Sequence, residues 1–206
     1  MNSKAVFIVL CCISARAACA EDEKSIKELA DALVALAPGV DRHEAEVLSV
    51  TAHTTSRALA REYGVTGDPA IHNYLIKIGA RKRGICADYT RDIGTRLKEF
   101  HFRTLMLHWG AAWAKLADEN NALVVTARNQ SFQDGIILDG WRRAGRLFWC
   151  PVKDDHEYEV EHYTALNQLA SRSHSGVTAW KEDFSEAAWL QENPPAKPPP
   201  KRRHKS

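Results

Sequence analysis

Apolar side chains at spacings of three and four dominate the first half of the chain, and short unbroken apolar runs dominate the second. Ile26, Leu29, Leu33 and Leu36 fall on one stripe that ends at Pro38-Gly39, which predicts a first helix over 21–36. Asp41 then stands at an N-cap position ahead of Ala45, Leu48, Ala52, Leu59 and Tyr63, and Gly64 stops this second helix. Gly67-Asp68-Pro69 opens a third helix over 70–78, with Pro69 in its first turn and Gly79 at its end. Gly84 breaks the chain, after which Cys86, Tyr89, Ile93, Leu97 and Phe100 share the inward stripe of a fourth helix. Beyond it the texture changes to strand-like runs over 102–109, 122–127, 136–138 and 146–149. Helices first and strands afterwards predict an α+β domain in which N-terminal helices pack on a small antiparallel sheet.

The polar stretch 128–134 is short enough to be a hairpin connection. If Ala127 pairs near Gly135, Asp139 falls opposite roughly Leu123 and Asn120 opposite roughly Arg142, give or take a bulge or a slip of a position or two. Asn120 and Asp139 are therefore expected at the same end of neighbouring strands.

The first twenty residues change the picture of where the chain goes. Lys4, the apolar run from Ala5 to Ile13 and then Ala18-Cys19-Ala20 follow the order of a secretory signal, and the apolar run is too short to span a bilayer. The expected organisation is a signal peptide over 1–20, an α+β domain over 21–190 and a Pro-rich basic tail over 191–206, in an exported protein that is periplasmic or secreted. Cleavage after Ala20 leaves 186 residues, enough for a sizeable core. Arg16 stands where a lipoprotein signal needs an aliphatic residue, which argues against a lipid anchor at Cys19.

Of the 28 basic residues two fall in the first twenty and five in the last ten, which leaves a body with 21 basic against 26 acidic side chains. The tail has too little apolar surface to order itself and is suited to touching anionic surfaces. No specific nucleic-acid partner and no transmembrane segment are expected. The nine histidines form no His-x-x-x-His pair, and residues 21–206 hold no Cys-x-x-Cys, so no dedicated zinc site is expected. No glycine-rich phosphate loop or dinucleotide fingerprint is present, so no cofactor is expected either.

Removal of the signal leaves two cysteines, Cys86 and Cys150, a disulfide candidate in an oxidising compartment. Cys86 has two further readings. At a helix start, free N–H groups and the helix dipole favour a thiolate and hence a nucleophile; on an apolar stripe, the same thiol is an inert core residue. Asp139, straight after Ile136-Ile137-Leu138, must find a donor. That donor is a histidine base, or Arg142, Arg143 or the amides of the turn at Gly140. Trp109, Trp113, Trp141 and Trp149 cluster in the strand region, either as core or as the floor of a groove.

Taken together, Arg83-Gly84-Ile85-Cys86, Leu107-His108-Trp109-Gly110, the run Glu119-Asn120-Asn121 leading into Ala122–Ala127, and Leu138-Asp139-Gly140-Trp141-Arg142 resemble a known group. They are similar to exported bacterial proteins of the transglutaminase-like, papain-related cysteine hydrolase group, over roughly residues 67–149. The resemblance implies a transglutaminase-like fold with Cys86 as the nucleophile position and Asp139 as the orienting acid. It also implies a histidine where this chain has Asn120. A carboxamide cannot take a thiol proton, and loss of a general base typically costs about 10²- to 10⁴-fold in rate. His108, on the preceding strand, is the substitute imidazole the sequence offers, although it fits the ordinary strand pattern; His156 and His162 come after the matching region. The implied functions are a weak or atypical cysteine hydrolase or acyltransferase acting on amide bonds, or a degenerate cleft that binds a peptide, protein or cell-wall-derived glycan without chemistry. A protein stabilised by a Cys86–Cys150 disulfide is the third expectation.

Overall fold

The computed structural model describes residues 20–159 and 177–184. Residues 1–19 of the expected signal, His162 and the basic tail lie outside the described residues. The fold is α+β. Helix α1 occupies residues 20–35, followed by α2 (Arg42–Tyr63), α3 (Pro69–Lys77) and α4 (Cys86–Lys98). The strands are β1 (Leu105–Ala112), β2 (Asn120–Ala127), β3 (Ile136–Asp139), β4 (Phe148–Pro151) and β5 (Trp180–Glu182). They form one sheet in the order β4-β3-β2-β1-β5, and every neighbouring pair is antiparallel.

The helix ends follow the local chemistry. The Asp41 side chain accepts from the Glu44 N–H at 3.0 Å, and Gly64 closes α2 in the left-handed region at φ 68. Asp68 caps α3 by accepting from Ala70 N at 2.7 Å. At the start of α4 the Asp88 carboxylate reaches back to the N–H groups of Gly84, at 2.8 Å, and Ile85, at 3.3 Å, which is half of a capping box. Phe100 departs from expectation: α4 ends at Lys98, and the ring is exposed and stacked on Phe102.

The sheet is buried on both sides, which explains why β2 reads as an unbroken apolar run. One face carries Leu105, Trp109, Leu123, Val125, Ile136 and Leu138 against Leu29 and Leu33 of α1, Leu48 and Ala52 of α2, and Tyr89, Ile93 and Leu97 of α4. The other face carries Ala122, Val124 and Ile137 against Phe132, Val152, Tyr158 and Trp180. Strand β1 begins three residues later than the pattern predicts, because Glu44 accepts from the N–H groups of Arg103 and Thr104, each at 2.8 Å, and ties that connection to α2. Strand β4 begins late as well, since Ala144 and Gly145 turn through positive φ just before it.

His53 locks α1, α2 and β4 together. Its Nδ1–H donates to Ser49 O at 2.8 Å, so its Nε2 accepts from the Ser25 hydroxyl at 2.9 Å, and that hydroxyl accepts from Trp149 Nε1 at 2.9 Å. Burial holds the imidazole below its ordinary pKa of 6.5, so the unfolded chain takes up this proton first as the pH falls. The stabilisation is therefore complete above about pH 6.5 and is lost as the pH drops through the folded value. Urea midpoints should fall between about pH 7 and about pH 5, and His53→Gln should flatten that fall. Equal slopes for the two proteins would contradict this assignment.

Candidate functional site around Cys86

Gly84 delivers Cys86 to the start of α4. It sits at φ +120, and a Cβ there would lie 2.5 Å from His72 Nε2, the atom that hydrogen-bonds Arg83 O at 2.9 Å. Only glycine allows this approach. Cys86 then faces inward, 9% exposed, one turn before Tyr89 and on the stripe that the sequence predicts.

The sulfur meets the start of β2. Cys86 Sγ lies 3.8 Å from Glu119 O, as donor, and 3.7 Å from Asn121 Nδ2, as acceptor. Burial pushes the thiol above its ordinary pKa, and the charge of Asp139 pushes the same way. The Asn121 backbone and side-chain amides and the Ala87 N–H pull against this without reversing it. The helix start therefore fails to make a thiolate, because one turn of N–H groups offsets less than desolvation costs.

Asn121 is the neighbour of the sulfur that sequence reasoning missed. Its Oδ1 accepts from Trp109 Nε1 at 2.7 Å, and its Nδ2 donates to Glu119 Oε1 at 3.0 Å, so its orientation is fixed from both sides. The signal was available in the alternation of β2, where Asn121 shares parity with Leu123 and Val125, the residues that face the helices.

Asn120 has the opposite parity and turns to Asp139. Its Nδ2 donates to Asp139 Oδ2 at 2.8 Å, while its Oδ1 is buried without a hydrogen-bond partner among the described residues. Asp139 is 1% exposed and saturated with donors. Its Oδ1 accepts from the N–H groups of Trp141 at 2.8 Å and Arg142 at 3.0 Å, and its Oδ2 accepts from Arg142 Nε at 3.2 Å. Of the non-histidine partners weighed from the sequence, the Arg142 side chain and the turn amides are thus in place, whereas the Arg143 guanidinium lies over the Phe148 ring at 4.8 Å.

The structure brings Cys86, Asn120 and Asp139 to one end of β2 and β3, and it does not bring His108 there. His108 shares the opposite face of the sheet with Val124 and Phe132, and its ring nitrogens pair with Glu182 Oε1 at 2.7 Å and Thr126 Oγ1 at 2.9 Å. His156 pairs with Glu159, away from the sulfur. Cys150 lies in β4 opposite Ile137 and packs on the Val124 face; burial pushes its thiol up to about 12. Both cysteines are free, so the Cys86–Cys150 disulfide is not formed. Each of the four tryptophans has a partner within the fold. Trp109 is core, Trp113 packs on Tyr158, Trp141 donates to Asn73 Oδ1 and Trp149 donates to Ser25.

Among the described residues no group of three or more His, Cys, Asp or Glu side chains is placed to hold a metal ion, and no helix is long and apolar enough to cross a membrane. No family model, curated protein or solved structure matches the chain.

Proposed function

We propose that the protein is an exported, non-catalytic relative of the transglutaminase-like, papain-related cysteine hydrolases, a scaffold that works by binding a peptide, protein or cell-wall-derived ligand. The single observation that carries this reading is the Asn120–Asp139 hydrogen bond. In the group that the chain resembles, a histidine at position 120 would give one N–H to the orienting carboxylate and offer its second nitrogen to the thiol, whereas here the side chain that reaches the sulfur is that of Asn121. The Asn120 amide reproduces the first contact at 2.8 Å and supplies no basic atom for the second. The rest of the arrangement supports the same reading. The thiol is held neutral by burial, Asp139 is committed to Arg142 and two turn amides, and the His108 ring is engaged on the other face. A cysteine hydrolase needs a thiol that can ionise and an imidazole beside it.

Restoring the base tests the position. Asn120→His should raise the alkylation rate of Cys86 by iodoacetamide at neutral pH by tenfold or more, short of the about 10²- to 10⁴-fold of general-base action in a full catalytic site. The rate is read on the Cys86 peptide by mass spectrometry, so the other cysteines do not contribute. An unchanged rate in a folded variant would remove Asn120 from the base position and the resemblance with it.

A further inference from the structure

Helix α3 is packed inside out. Its one buried residue is His72, whereas Ile71, Tyr74 and Ile78 just past its end are 63%, 60% and 56% exposed. Their spacing of three and four puts these apolar side chains on one outer stripe. The helix is held to the body by polar contacts, His72 Nε2 to Arg83 O at 2.9 Å and Trp141 Nε1 to Asn73 Oδ1 at 3.2 Å.

The stripe runs directly into cations. Lys77, Arg81 and Lys82 are exposed and form no ion pair among the described residues, and the first turn of α3 holds no acid apart from its cap Asp68. Arg83 differs, being paired with Asp88 and Asp92, and Glu62 is the acid that shares the surface hollow with residues 80–83.

We infer that α3 and the basic turn after it form a surface for docking onto an anionic lipid bilayer. Exposed isoleucines and a tyrosine suit shallow insertion at the headgroup level, and unpaired lysine and arginine beside them suit anionic headgroups. The small size of the patch favours a bilayer over a stable protein partner: α3 offers three exposed apolar side chains, whereas a standard protein interface takes roughly 20–30 residues a side, polar ones included. The last ten residues of the sequence carry five basic and no acidic side chains, a second source of attraction to the same headgroups. This inference does not depend on the state of Cys86.

Sedimentation of the full chain with vesicles tests it. The protein should bind vesicles of phosphatidylcholine with phosphatidylglycerol and be released by salt, while binding vesicles of phosphatidylcholine alone weakly. The double variants Ile71→Ser with Ile78→Ser, and Lys77→Glu with Lys82→Glu, should each weaken binding by about tenfold or more, at roughly the contribution of one or two surface cations or apolar side chains. All these side chains are exposed, so thermal unfolding should be unchanged and loss of fold is not an explanation. Neutralising Lys201, Arg202, Arg203 and Lys205 to Gln should leave a residual dependence on the stripe. Binding that survives both double variants, or that is lost entirely with the tail charges, would overturn the proposal. So would a concentration-dependent dimer that the Ile71→Ser, Ile78→Ser variant abolishes.

Discussion

Arg142→Met should lower the free energy of unfolding by about 3–5 kcal/mol, the range for removing one partner of a buried ion pair. The Arg142 side chain is 8% exposed and lies between two carboxylates, Asp139 and Asp155, which are 0% and 2% exposed. Its guanidinium fork binds Asp155 through both nitrogens, at 2.9 and 2.8 Å, and reaches Asp139 through Nε at 3.2 Å. It also lies over the rings of Phe148, at 4.0 Å, and Tyr158, at 4.6 Å. Methionine fills much of the volume but leaves both acids unpaired, so electrostatics and desolvation account for the loss. The damage spreads, because Asp155 Oδ2 also holds Trp180 Nε1 at 2.8 Å and so anchors β5. Arg142→Lys should recover only part of the stability, since an ammonium cannot fork between two carboxylates. Urea unfolding is the measurement, and a loss below about 1 kcal/mol for Arg142→Met would show the pair to be marginal.

Gly145→Ala should cost about 2–5 kcal/mol, summing backbone strain of about 1–2 and overpacking of about 1–3. Gly145 sits at φ +90, and an added Cβ would fall 2.2 Å from Ala60 Cβ and 3.2 Å from Ser56 O, both on α2. The turn has little room to move. Its carbonyl accepts from Ser56 Oγ at 2.9 Å, and its N–H donates to Gly140 O at 2.9 Å. Combining Gly145→Ala with Ala60→Gly separates the two causes: the steric share should return and the conformational share should remain. Full recovery in the double variant would show that φ carries no cost here.

The caps at Asp41 and Gly64 were legible in the sequence because capping is local chemistry, decided within four residues. The strand pairing was nearly so. The sequence sets Asp139 opposite roughly Leu123, and the observed register pairs Leu123 with Leu138. That single step matters, since the side-chain period is two: it puts Asn120 and Asp139 on the same face of the sheet, where they bond. Strand β5 was not legible, because Trp180–Glu182 has no apolar alternation and is specified by a pairing with β1 some 70 residues away in the chain. The outward stripe of α3 was read simply as a helix, since periodicity gives a face and not its direction. The state of Cys86 was also out of reach. A helix start and an apolar stripe make opposite demands on a thiol, and only the depth of burial decides between them.

The most direct test of the account is the pH profile of Cys86 alkylation in the folded protein, read on its own peptide. A non-catalytic thiol predicts a rate at neutral pH below that of an unhindered cysteine, with an inflection above the ordinary thiol value. An inflection near or below about pH 7, the range of activated thiols, would contradict it and return Cys86 to the role of a nucleophile.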